Sequence, residues 1–242
     1  MSTATYTRFE LVRLSRNLRF FIFSLVFPLV LYYVIAGGNR HAKIAGLPFP
    51  TYYMMGMVAW GTMAAVVSGG ARIAAERSIG WNRQLRLTPL APRRYLVTKA
   101  LSGYVMALVS IVLMFAAGMS LGVSLPVSSW LEMTGLVLVG LIPFAVFGIL
   151  IGHLVSVDSM GPAMGGTISI FALLGGSWGP IGNGTWVEGA LKLLPSYWIT
   201  RASQVAVHGG GWPVEAWVVV AVWTLVLVAI TRRVYERDTK RV

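Results

Sequence analysis

The 242-residue chain has no cysteine. That excludes disulfides, thiol nucleophiles and cysteine-based metal sites, and is silent on compartment. Acidic residues are few: eight Asp and Glu stand against twenty Lys and Arg, a net charge of +12. Charged residues are only 12% of the chain, against about 25% in a soluble domain. A phosphate-cradling G-x-x-x-x-G-K-[ST] loop is also missing, so this chain does not hydrolyse a nucleotide by that route. The glycines of GGSWGPIGNG, residues 175–184, lack the following Lys-Ser or Lys-Thr and read as turn and close-packing residues. There is no G-x-S-x-G nucleophile elbow, and His41, His153 and His208 have no metal-ligand spacing. No catalytic residue, no metal site and no cofactor bound by this chain are expected.

What the chain has instead is apolar length. Hydrophobic residues make up 56% of it and the mean hydropathy is +0.72. Several runs approach the roughly 20 residues a membrane-crossing helix needs. Six spans are predicted, at about 20–37, 52–71, 100–121, 133–156, 161–178 and 214–231. Pro28 should kink the first, and Pro143 lies inside the fourth. The first run follows Arg19 without a convincing small-residue cleavage site and reads as a retained helix rather than a signal peptide. The expected fold is therefore all-α and polytopic, one domain over 1–242. Glu132 and Asp158 flank the fourth span at opposite ends and cannot pair for acid–base work. The spans hold almost no ionisable groups, which argues against a proton-driven carrier and against an ion-selective pore.

The charges report orientation. Sixteen basic residues fall in the N-terminal segment, the 72–99 loop and the C-terminal tail, and four (Arg40, Lys43, Lys192, Arg201) fall on the other side. The positive-inside rule then puts both termini in the cytoplasm of a multi-pass membrane protein. An odd number of spans would separate the two basic termini and is the weaker reading. Because the charges sit in short inter-helix segments, contact with anionic lipid explains them better than nucleic acid does.

Three segments lie outside the spans. Residues 1–18 place Tyr6, Phe9, Leu11, Val12 and Leu14 among arginines, which suits an amphipathic helix on the inner membrane face; a frayed basic tail is the alternative. Residues 73–92 form a basic, proline-punctuated connection in which Thr88-Pro89 and Ala91-Pro92 stop the helix before the third span. Residues 182–210 carry Trp186, Ala190, Leu191, Leu194 and Trp198 at helical spacing, broken by Pro195. They read as short outer-face helices dipping toward the bilayer, or as an ordinary external loop. Gly148 with Gly152, and Gly161 with Gly165, are G-x-x-x-G pairs that let helices approach closely, within one chain or across a dimer. Six spans make a small bundle for a wide path, which favours a dimer. The second span is rich in Met and aromatics. Of these, Tyr53, Met57 and Trp60 are candidates for a path taken by an apolar substrate, or are core or lipid-facing residues.

This layout, with the loop ERSIGWNRQLRLTPLAPRRYLVTK, resembles the ABC-2 type permeases. These are membrane subunits of bacterial ABC exporters and include the daunorubicin-resistance permeases. The layout matches over essentially the whole chain, and the stretch from Glu76 to Lys99 is motif-specific. The family loop commonly reads Glu-Arg-Glu-x-Gly-Thr, then a Glu, then Leu-x-x-Thr-Pro. Glu76, Arg77, Gly80, Leu85, Thr88, Pro89 and Lys99 match it. Ser78, Trp81 and Arg83 depart from it, where an acid, a Thr and an acid are frequent. The resemblance implies that 73–92 is a coupling helix between spans two and three, seated on a separately encoded ABC ATPase. Glu76, Arg77, Gly80, Arg83, Leu85, Arg86, Thr88 and Pro89 would do the coupling. It also implies a permease dimer with two ATPase copies, ATP and Mg2+ held by that partner, and a bacterial cell-membrane location. Export of a small hydrophobic or amphipathic substrate, drug- or antibiotic-like or a lipid, would link it to multidrug efflux and antibiotic resistance. The rival readings are a non-transporting scaffold or sensor subunit and an intramembrane enzyme. Catalytic residues inside the spans would favour the enzyme, and none is evident.

Overall fold

The computed structural model describes residues 25–44, 46–80, 92–181, 184–209 and 211–240. The expected interfacial helix of residues 1–18 lies outside them, as do residues 81–91 of the basic loop. The described elements are α1 (Phe27–Gly38), a two-residue antiparallel pair β1 (Lys43–Ile44) and β2 (Leu47–Pro48), and α2 (Phe49–Ser78). Then follow α3 (Pro92–Ser120), α4 (Val127–Gly140), α5 (Ile142–Leu154), α6 (Val157–Leu174), α7 (Trp186–Leu191), α8 (Pro195–His208) and α9 (Val214–Lys240). Among the described residues five helices are long and apolar enough to cross a membrane: α2, α3, α4 running on into α5, α6 and α9. The first expected span is represented by the 12-residue α1, with Pro28 in its first turn.

Element ends depart from the sequence reading for local reasons. The fourth span begins at Val127 rather than 133, and it breaks at Leu141. Pro143 sits in the first turn of α5, where it offers no N–H and its ring opposes the carbonyl four residues back. The fifth span is Val157–Leu174 rather than 161–178. Gly176, at φ +75°, turns the chain, and Ser177 N–H closes back on the Ala172 carbonyl at 2.9 Å. The second span is longer than expected. Its 30 residues rise about 45 Å, beyond a hydrocarbon core of about 30 Å. Residues 73–78, expected to start a separate coupling helix, are the last turns of α2.

α2 is the hub. α1, α3, α5, α6 and α8 all pack on it, and nearly every residue from Pro50 to Ala74 is buried. Apolar helices in lipid gain no hydrophobic drive from meeting each other, so close approach has to come from small residues. Glycines of α2 supply it on several sides: Gly56 faces the Ser177 backbone, Gly69 faces Gly103 of α3, and Gly70 faces Gly148 of α5. Of the two short helices before α9, α8 packs into the bundle while α7 stays largely exposed. Ile199 of α8 packs on Gly140 at the end of α4, and the Trp223 indole of α9 donates to the Leu193 carbonyl at 2.8 Å. Long apolar side chains on α1, α3 and α9, such as Val34, Val112 and Leu225, stay exposed and suit lipid contact.

Candidate functional site at the inner ends of the second and third long helices

The last turns of α2 carry Ile73, Glu76 and Arg77, and helical spacing puts Ile73 and Glu76 on one face. Across from them, Tyr95 and Lys99 stand one turn apart on α3. The Lys99 Nζ meets Glu76 Oε1 at 2.5 Å, and the Tyr95 hydroxyl donates to Glu76 Oε2, also at 2.5 Å. Lys99 further lies 5.4 Å from the centre of the Tyr95 ring. The Lys99 and Glu76 side chains are 0% and 1% exposed. A charge that far from water persists only when paired and hydrogen-bonded, and here both carboxylate oxygens are engaged.

Arg77 extends the arrangement to a third helix. Its Nη1 donates to the carbonyl of His153 at 2.5 Å and to that of Gly152 at 3.3 Å. These belong to the last turn of α5, whose carbonyls lack helical partners and carry the negative end of the helix dipole. Gly152 makes the approach possible, because a Cβ there would meet the Gly70 carbonyl and the Ile73 side chain. The His153 ring stands edge-on to Tyr235 of α9 at 5.5 Å. Gly80 then turns the chain out of α2 at φ +70°, a left-handed conformation that favours glycine, so it serves as a bend. The basic loop thus leaves a base built from α2, α3 and α5.

Of the eight coupling candidates, Glu76 points inward to Lys99 and Tyr95, Arg77 caps α5 and Gly80 makes the bend. Arg83, Leu85, Arg86, Thr88 and Pro89 lie outside the described residues. Gly148 and Gly152 pack against Val67 and Gly70 of α2, within one chain. Among the described residues, nothing stands within 4 Å of where a Cβ on Gly161 or Gly165 of α6 would be. Tyr53 stacks with Phe49 and Tyr32, and Met57 is fully buried. Trp60 sits between Phe27 and Trp178, which are 44% and 41% exposed. Tyr95 and the inward aim of Lys99 escaped the sequence reading. Their one signal is a Lys four residues after a Tyr where a cytoplasmic segment enters an apolar run.

At the other end of the bundle, Glu188 of α7 gathers four groups. The Gly184 N–H donates to it at 2.9 Å and the Tyr197 hydroxyl at 3.1 Å, while Lys192 and Arg201 lie 3.7 and 3.8 Å away. The Gly184 hydrogen bond first and then that of Tyr197 hold its carboxyl below the usual carboxylate range; burial opposes them more weakly, and the two cations add the smallest lowering effects. Beside it, Tyr52, Tyr197, Thr200, Arg201 and Gln204 line a cavity of about 80 Å³. That is room for a few waters, well short of the several hundred Å³ of a drug-sized site.

Long apolar helices around a buried hub and a lipid-suited exterior define a polytopic helical membrane protein. Residues 49–232 match the family described as ABC-2 family transporter protein, and the chain belongs to that family. A Bacillus subtilis (strain 168) protein named "Putative transport permease YvfS" is 29% identical over 205 residues, covering 83% of each chain. The chain is thus a membrane permease of the ABC-transporter kind, and its family implies association with an ABC ATPase.

Proposed function

We propose that this chain is the permease subunit of an ATP-driven exporter, acting as a dimer joined to two copies of a separately encoded ABC ATPase. The observation that carries the reading is the base of the basic loop. In a chain of this family, a cytoplasmic connection leaves from helix ends tied together by a buried ion pair and an arginine cap. Such a base can pass a push from outside into the bundle. ATP and Mg2+ belong to the partner, and closure of the two ATPases would switch the path between inward- and outward-facing states. The open glycine face of α6, around Gly161 and Gly165, suits close packing against a second copy. Trp60, buried against the more exposed Phe27 and Trp178, belongs to an aromatic cluster that suits an apolar or amphipathic cargo, drug-like or a lipid. A location in a bacterial cytoplasmic membrane with both termini inside is part of this reading, and the basic residues gathered in the two termini and the 72–99 segment support that orientation.

The test is co-expression with the ATPase encoded next to this chain. A complex of two permeases and two ATPases, whose ATP turnover falls when 81–91 are replaced by Gly-Ser repeats, is expected. Substrate flux through vesicles holding this chain alone, without ATP, would point to a channel or facilitator instead.

A further inference from the structure

We propose that Glu76, Lys99 and Tyr95 form a buried brace that makes the base of the 79–91 loop one rigid body, with Lys99 and Tyr95 as positioning residues. The proposal rests on the reading that this loop docks on an ATPase. It moves Glu76 from a contact with the partner to an internal lock.

A docked loop transmits displacement only if its two ends are fixed to the helices they continue. The loop leaves α2 and re-enters at α3, and the close Gly69–Gly103 approach that joins these helices lies about two turns further into the bundle. The brace fixes the ends beyond it. It joins residues 23 positions apart, one on each side of the loop, and uses both carboxylate oxygens of Glu76. A shift of α2 against α3 by one turn would part the buried Glu76 carboxylate from at least one of its two partners, a state that is disfavoured. The depth of the pair supports this role. Glu76 lies about 40 Å along α2, beyond a hydrocarbon core of about 30 Å, where ions ordinarily hydrate. The pair is nevertheless 0% and 1% exposed, shielded by protein rather than by lipid. Arg77 carries the lock on to α5, so a push on the loop reaches three helices at once.

The absence of cysteine makes the test direct. Ser78→Cys and Arg94→Cys, both exposed, bracket the loop and can carry spin labels without background. Double electron–electron resonance should give one narrow distance in the otherwise unaltered chain. The distance should broaden in Glu76→Gln and, to a smaller degree, in Tyr95→Phe. It should narrow again in the exchange of Glu76→Lys with Lys99→Glu. In the complex with the neighbouring ATPase, Glu76→Gln should keep co-purification but lower ATP turnover about tenfold, and the exchange should recover most of it. If Glu76→Gln does not insert, Tyr95→Phe, which removes one hydroxyl, carries the test. Unchanged distances in the inserted variants would overturn the brace. Broadened distances with unaltered ATP turnover would overturn its coupling role. Broadened distances in a chain that never co-purifies with the ATPase would uphold the brace and remove the docking reading instead.

Discussion

A methyl group at Gly148 would run into the backbone of Val67, and one at Gly152 into that of Gly70, while one at Gly161 or Gly165 would meet nothing within 4 Å among the described residues. The two G-x-x-x-G pairs look alike as sequence and differ in what faces them. Gly148→Leu should therefore damage the single chain. Overpacking a filled contact costs about 1–3 kcal/mol, and here the obstacle is backbone that cannot rotate away. Its thermal midpoint in detergent should drop. Gly161→Leu and Gly165→Leu should leave that midpoint in place and convert dimer to monomer by cross-linking or light scattering. A dimer that survives both changes would move the interface off α6. Gly80 is a third case, because its constraint is conformational. A β-branched side chain at φ +70° is strained by about 1–2 kcal/mol. Gly80→Val should leave insertion and melting as they are and lower ATP turnover of the complex, since only the exit angle of the loop changes. Turnover equal to the unaltered chain's would show that the bend is dispensable.

α7 and α8 show how a helix pair is held where packing alone is thin. Trp186 of α7 is 84% exposed, and the link between α7 and α8 runs through Glu188 with Tyr197, Lys192 and Arg201, and through the Trp198 indole on the Lys192 carbonyl at 2.7 Å. Because the folded state holds the Glu188 carboxyl below its ordinary value, its contribution is present above the unfolded value of about 4.3 and fades as pH falls through the lower folded one. Hydrogen exchange in residues 186–200 should accelerate on acidification below about pH 4, and Glu188→Gln should flatten that dependence. An unchanged acid profile in the variant would assign the transition to other groups. The existence of these helices was readable from Trp and Leu spacing with Pro195 as punctuation. The packing of α8 and its preceding link into the bundle was not, since it depends on Gly140 and Trp223 from other elements. The same holds for element ends. Gly176 and Pro143 set them through turn geometry, whereas a hydropathy run only bounds them.

The whole molecule is a bundle drawn around one helix, and its orientation follows from where its charges can stay hydrated. Reporter fusions at residues 85 and 242 should read cytoplasmic, and fusions near 45 and 185 external. An external signal at 242 would mean an odd number of crossings and would separate the two basic termini. Membrane class and the approximate places of the long apolar helices were legible in the chain itself. The reason is that each depends on transfer of residues between water and lipid, a property residues carry with them. Three things were settled only by the tertiary structure: which helix is central, which glycine pair is filled and which is open, and that Glu76 faces inward to Lys99 and Tyr95. Those depend on which backbone or charge stands opposite, 23 residues away between Glu76 and Lys99 and 82 between Gly70 and Gly152. One-dimensional order holds no distance of that kind until the helices have packed.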